Sequence, residues 1–128
     1  MSEMSDYLED KIVDHTLGTA SYTAPTSVYL AIFTTAPSDA GGGTECSYSG
    51  YARQEIAFDA SSGGVAANTA EETFPAVAGA DITVTHFGLF DAASGGNLLY
   101  HSAFDTSKSY SATDVISVAA GALSVTLD

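Results

Sequence analysis

The spacing of hydrophobic and polar residues changes character once along this chain, near Pro25. Before it, Met4, Leu8, Ile12 and His15 recur at helical spacing, and Val13 and Leu17 widen the stripe. Ser5 is a suitable N-cap, and Asp6, Glu9 and Asp10 follow where the helix dipole favours acids. Gly18 suits the left-handed position that ends a helix. The pattern predicts one helix over residues 5–17. Its apolar stripe is short and needs a surface to lie on.

After Pro25 the period shortens. Val28 to Thr34 is a continuous apolar run, as expected of a strand covered on both faces. A loop centred on Gly41-Gly42-Gly43 follows. Tyr51 to Asp59 then alternates, with Ala52, Ile56 and Phe58 on one side. Val65 to Phe74 reads as a weaker strand ending at Pro75. Ile82 to Phe90 has the strongest strand pattern, with Ile82, Val84, His86 and Phe90 assigned to one face and Thr83, Thr85, Phe87 and Leu89 to the other. Asp91 to Asn97 reads as a hairpin loop and Leu98 to Phe104 as the return strand. Val115 to Val118 and the alternating Leu123, Val125 and Leu127 close the series. One N-terminal α-helix and about six or seven strands make the chain mainly β. The expected architecture is a single-domain β-sandwich or small barrel over residues 1–128, with 26–128 as the β part.

Composition adds a strong constraint. Sixteen acids face three bases, Lys11, Arg53 and Lys108, for a formal charge of −13. Phosphate binding needs clustered Lys and Arg, so nucleic acid is excluded as a partner. The basic face that draws proteins to anionic membranes is missing too, and no stretch approaches the roughly 20 apolar residues of a membrane span. The opening residues are acidic and polar, unlike a signal peptide, so synthesis in a cytoplasm is expected. Few Lys, many Asp and abundant small residues suggest salt adaptation, a halophilic character; acidic solubility is the alternative. The core formers are few for the length, with six Phe and no Trp. Burial is then expected to be completed against copies of the chain or a larger neighbour.

Candidate chemistry is sparse. His15, His86 and His101 lack any short metal-ligand spacing, so no metal centre and no cofactor is expected. There is no GxSxG elbow, and Gly41-Gly42-Gly43 is followed by Thr44-Glu45 in place of the P-loop cation. Cys46 lies in an acidic setting unsuited to a thiolate nucleophile. The loop acids Asp39, Glu45, Asp91 and Asp105 form no EF-hand ladder, though they leave a bound Ca²⁺ open. No catalytic residue is assigned, and the expectation is that the protein is no enzyme. Tyr48, Tyr51 and Tyr110 lie near loops and are candidate partner or receptor contacts, carbohydrate included. Leu8, Ile12 and His15 form the candidate assembly face.

Several segments, in order, carry a resemblance. They include Tyr7-Leu8-Glu9, Asp14-His15-Thr16-Leu17-Gly18, Gly50-Tyr51-Ala52-Arg53 and Thr73-Phe74-Pro75-Ala76. The most specific is Val84-Thr85-His86-Phe87-Gly88-Leu89-Phe90-Asp91-Ala92-Ala93 with Gly95-Gly96-Asn97-Leu98-Leu99. Together they resemble a family of small tailed-phage virion structural proteins, of the tail-fibre or minor-tail kind. The resemblance implies a non-enzymatic virion protein that associates with other virion proteins and with itself, and we expect a trimer. Three placements stay open. The first is a tail-fibre or tail-tip component on the particle surface of a bacteriophage or archaeal virus. The second is a head decoration protein that stabilises the capsid. The third, of another class, is a carbohydrate- or Ca²⁺-binding host-attachment module.

Overall fold

A computed structural model describes residues 2–127 and is mainly β. Its elements in order are β1 (Glu3–Met4), α1 (Asp6–Thr16), β2 (Val28–Thr35), β3 (Thr44–Glu45), β4 (Gln54–Ile56) and β5 (Val65–Ala67). They continue with β6 (Glu72–Thr73), β7 (Ile82–Phe90), β8 (Leu98–Tyr110), β9 (Ser117–Val118) and β10 (Ser124–Thr126).

The helix ends where local chemistry ends it. Ser5 is extended, and its hydroxyl accepts from the Leu8 N–H at 3.2 Å, satisfying one of the free donors of the first turn. At the other end Gly18 takes φ +77°, with Gly18 N–H on His15 O and Thr19 N–H on Asp14 O. That pair of bonds is a Schellman motif, and a residue with a Cβ would be strained at its centre.

The principal sheet is antiparallel, in the order β1-β8-β7-β2-β3, and β4 also pairs with β2. β2 is central. Tyr29 to Phe33 pair with β7 on one side, while on the other Val28 to Leu30 pair with β4 and Phe33 to Thr35 with β3. The ribbons β5–β10 and β6–β9 form two further small sheets. Leu30 and Ile32 of β2 join Val84, Phe87 and Leu89 of β7 in a core that also takes in Phe74, Ile116, Val118 and Leu123 from the ribbon segments. The sheet is therefore layered against short ribbons rather than against a second sheet of equal size. Asn68 anchors the ribbon layer. Its buried amide donates to Ala70 O and Ala119 O and accepts from Leu123 N–H.

Both faces of β2 are covered, as its apolar run predicted, since Leu30, Ala31, Ile32 and Phe33 are all buried. Other expectations need correction. β7 does not keep one parity: Ile82 and Val84 pack on the same core as Phe87 and Leu89. The switch falls at a register shift, where Val84 pairs with Lys108 but His86 with Ala103, so two steps along β7 match five along β8. Of the Tyr51 to Asp59 run only Gln54–Ile56 is strand, and Val65 to Phe74 is split into β5 and β6. β8 runs to Tyr110, past the expected Phe104.

The helix lies on β8 through Leu8, which is buried, and Ile12 is half-buried. His15 is exposed, and its Nδ1 accepts from the Tyr22 N–H at 3.1 Å. Val13 and Leu17 face solvent, at 52% and 74% exposure. Met4 belongs to β1 and not to the helix stripe.

Candidate functional site

The β7–β8 hairpin, the Gly-rich loop and the start of α1 converge on one face of the sheet. Alternation along β7 sends Gly88 and Phe90 to this face. A Cβ on Gly88 would stand 3.0 Å from both Leu98 Cδ1 and Phe33 Cε1, and 3.2 Å from Phe90 Cε2. Glycine is therefore what lets the two phenyl rings approach, and Phe33 and Phe90 stack with centroids 6.3 Å apart.

Arg53 covers this aromatic floor, its guanidinium carbon 3.7 Å from the Phe90 ring centroid. Its side chain is only 9% exposed, and each of its hydrogen bonds is charge-assisted. Nε and one terminal nitrogen hold the two oxygens of Glu45, each at 2.9 Å. The other terminal nitrogen donates to Ala92 O at 2.9 Å and Gly95 O at 2.8 Å. Behind Glu45, the Tyr51 hydroxyl donates to the same carboxylate at 2.7 Å and accepts from Ile32 N–H at 3.3 Å. A continuous polar chain thus runs from the centre of β2 to the hairpin turn.

The turn is also held from within. Asp91 accepts from the Asn97 N–H at 2.7 Å and from its side-chain amide at 2.9 Å. Gly96 has φ +73°, and a Cβ there would lie 2.6 Å from Asp91 Oδ1 and Ala92 Cβ. The Gly-rich loop is folded as tightly, with Ser38 and Gly41 exchanging backbone hydrogen bonds. Between these walls lies an open groove of about 500 Å³, lined by residues that include Tyr7, Phe33, Asp39, Arg53, Phe90 and Asn97.

Beside the groove stands the one constellation among the described residues that could hold a metal: Glu3 from β1, Asp39 from the loop and His101 from β8. His101 Nε2 lies 2.8 Å from Asp39 Oδ1 and 3.9 Å from Glu3 Oε2, and the histidine is 5% exposed. The loop acids named from sequence thus have separate fates. Glu45 serves Arg53, Asp91 caps the turn, Asp39 meets His101, and Asp105 stays exposed.

The tyrosines singled out from sequence do not line the groove. The Tyr51 ring stacks on Phe74, and burial followed by the Glu45 hydrogen bond pushes its phenol far above the ordinary range. Tyr48 packs edge-on against Tyr51 and donates to Pro75 O at 2.6 Å. Tyr110 is half-buried beside the core, with its phenol raised by burial and then by Asp114. The hydroxyls of Tyr48 and Tyr51 are thus engaged inside the fold. The tyrosine on the groove is Tyr7, with Lys11 5.6 Å above its ring. Tyr22 is close enough to Tyr7, Asp91 and Tyr100 for each, after burial, to raise its phenol. Sequence spacing gave no signal for this cluster, because Tyr7 on α1, Tyr22 after it and Tyr100 on β8 approach one another only in the folded chain.

A comparison with curated proteins gives no match. The family model described as podophage GP4 fiber I protein gp80 matches residues 3–126, which takes in both the Arg53 clamp and the hairpin turn it holds; the chain belongs to that family of phage fibre proteins.

Proposed function

We propose that this protein is a non-catalytic component of a phage tail fibre, exposed on the particle and joined to its neighbours through the outer face of α1. A phage fibre protein is part of the virion and associates with other virion components. The observation that carries the finer reading is the helix. Its seat is Leu8, with Ile12 half-buried beyond it, while Val13 and Leu17 stand in solvent. An amphipathic helix with an uncovered apolar side is suited to packing on another subunit. Ile12 and His15 border that surface, and Leu8 fixes the helix to β8. Such packing is the basis for expecting a homo-oligomer, with three copies as the arrangement to test first. Catalysis finds no support in the groove, because Arg53, Glu45 and Asp91 already satisfy one another or the turn.

Copy number per particle tests the placement, measured by quantitative mass spectrometry of purified virions against the major capsid protein. A handful of copies supports a fibre or tip. Hundreds would instead support head decoration.

A second reading rests on the groove. Tyr7, the Asn97 side chain and the loop carbonyls offer an aromatic face beside polar groups, the combination that carbohydrate recognition uses. Binding on a glycan array that disappears with Tyr7→Ala, and persists with Tyr48→Ala, would support host attachment at this groove.

A further inference from the structure

We propose that Glu3, Asp39 and His101 form a binding site for a divalent transition cation of the Zn²⁺ or Mn²⁺ class, which staples the N-terminal strand and the Gly-rich loop onto β8. Three separate parts of the chain deliver one ligand atom each, and all of these atoms lie within 4.8 Å of one another. Ligands held about 2.0–2.2 Å from a shared cation stand roughly 3–4 Å apart. The 2.8 Å and 3.9 Å separations from His101 Nε2 are close to that range.

Backbone structure fixes the three positions. Glu3 sits directly opposite His101 in the β1–β8 ladder. Asp39 is in the Ser38–Gly41 turn, and its carbonyl accepts from the Asp6 N–H at 3.0 Å. The histidine is almost wholly buried, yet its Nε2 edge is directed at the two carboxylates. A buried nitrogen donor aimed at the gap distinguishes this place from a patch of surface acids.

Charge points the same way. Among the described residues the only Lys or Arg ion pair is Arg53 with Glu45, and the imidazole is the one cationic group those residues place against the carboxylates of Glu3 and Asp39. Beyond them opens a cleft of about 440 Å³, lined by Glu3, His86, His101 and Asp105, with room for water to complete the coordination. An imidazole nitrogen among the ligands favours Zn²⁺ or Mn²⁺ over the hard, oxygen-seeking Ca²⁺. On binding, the cation is held by the Nε2 lone pair in place of the direct Nε2–Asp39 contact. The metal-bound form is the neutral imidazole, with its single ring proton on Nδ1.

The test is calorimetric titration of the full chain, stripped with a chelator and then dialysed, with ZnCl₂, MnCl₂ and CaCl₂ in turn. One saturable site per chain is expected for Zn²⁺ or Mn²⁺, with Ca²⁺ binding much more weakly. Glu3→Gln and Asp39→Asn should each weaken it by about tenfold or more. Both side chains are exposed, so these variants keep the test independent of whether His101→Gln folds. Glu71→Gln removes one exposed acid elsewhere and should leave the affinity unchanged. No saturable binding, equal affinity for Ca²⁺, or indifference to Glu3→Gln and Asp39→Asn would overturn the proposal. The first would leave a plain His–Asp pair, and the others diffuse attraction to an acidic surface.

Discussion

Replacing Arg53 by alanine should destabilise the protein by about 3 kcal/mol. Breaking a buried ion pair costs about 3–5 kcal/mol, because the surviving charge keeps its desolvation penalty. Here the survivor is Glu45, whose side chain is 26% exposed, so water recovers part of that penalty and the lower end applies. The contacts with Ala92 O, Gly95 O and the Phe90 ring are lost as well. Water can replace the partner of an exposed carbonyl, so these losses do not add in full. For a chain of this size, about 3 kcal/mol corresponds to roughly 10 °C in Tm. Thermal and urea unfolding followed by circular dichroism would read it. Arg53→Lys is the sharper probe. One ammonium cannot hold both oxygens of Glu45 and reach two turn carbonyls, so lysine should recover less than half of the loss. If Arg53→Lys falls within about 0.5 kcal/mol of the parent, only a surface charge is involved, and the clamp is refuted.

Three other outcomes follow from the same structure. Gly95 and Gly96 both have positive φ, yet only at Gly96 would a Cβ meet neighbours; Gly95→Ala should cost about 1 kcal/mol and Gly96→Ala at least about 2, compared by urea midpoints. Burial, and then the charge of Glu45, push the Cys46 thiol up to about 11. Its contribution to stability is whole below the unfolded thiol value of about 8.5–9 and is lost as pH rises from there to about 11. Native protein should accordingly show no thiolate absorbance at pH 9, and its appearance there would contradict the burial. Finally, the charge of −13 predicts a Tm that climbs between 0.1 and 2 M salt as repulsion is screened; a flat response would remove the argument for salt adaptation.

Much of the fold could be read from local chemistry, and the failures have identifiable causes. The bounds of α1 followed from Ser5 and Gly18, because a capping hydroxyl and a left-handed glycine act within a few residues. β2 and β7 stood out because they are long, apolar and rich in β-branched and aromatic residues. The extension of β8 through Asp105 to Tyr110 was hidden, since its polar residues have no alternation and are held by pairing with Ile82 to Val84. The parity of β7 failed for a related reason: a register shift is imposed by the partner strand and leaves no local trace. For the site, the hairpin block was visible as a motif, but its purpose was not. Phe90 and Gly88 acquire meaning only when Phe33 and Arg53 arrive from distant segments. The Glu3, Asp39 and His101 cluster was the least legible part, as its members are scattered along the chain and meet only through β1–β8 pairing and the folded loop. Tyr51 misled in the opposite sense, lying near a loop in sequence while its ring stacks on Phe74 beside the core.

The burial of Arg53 gives the molecule a built-in reporter. Trypsin cuts only after lysine and arginine, and this chain offers Lys11, Arg53 and Lys108. The two lysines are exposed, on α1 and on the polar end of β8, while Arg53 is sealed beneath the hairpin turn. Scission at Arg53 therefore requires the groove to come apart. The ratio of that fragment to the lysine fragments, followed over time, measures how often the groove opens, and anything that settles into it should slow that one cut selectively.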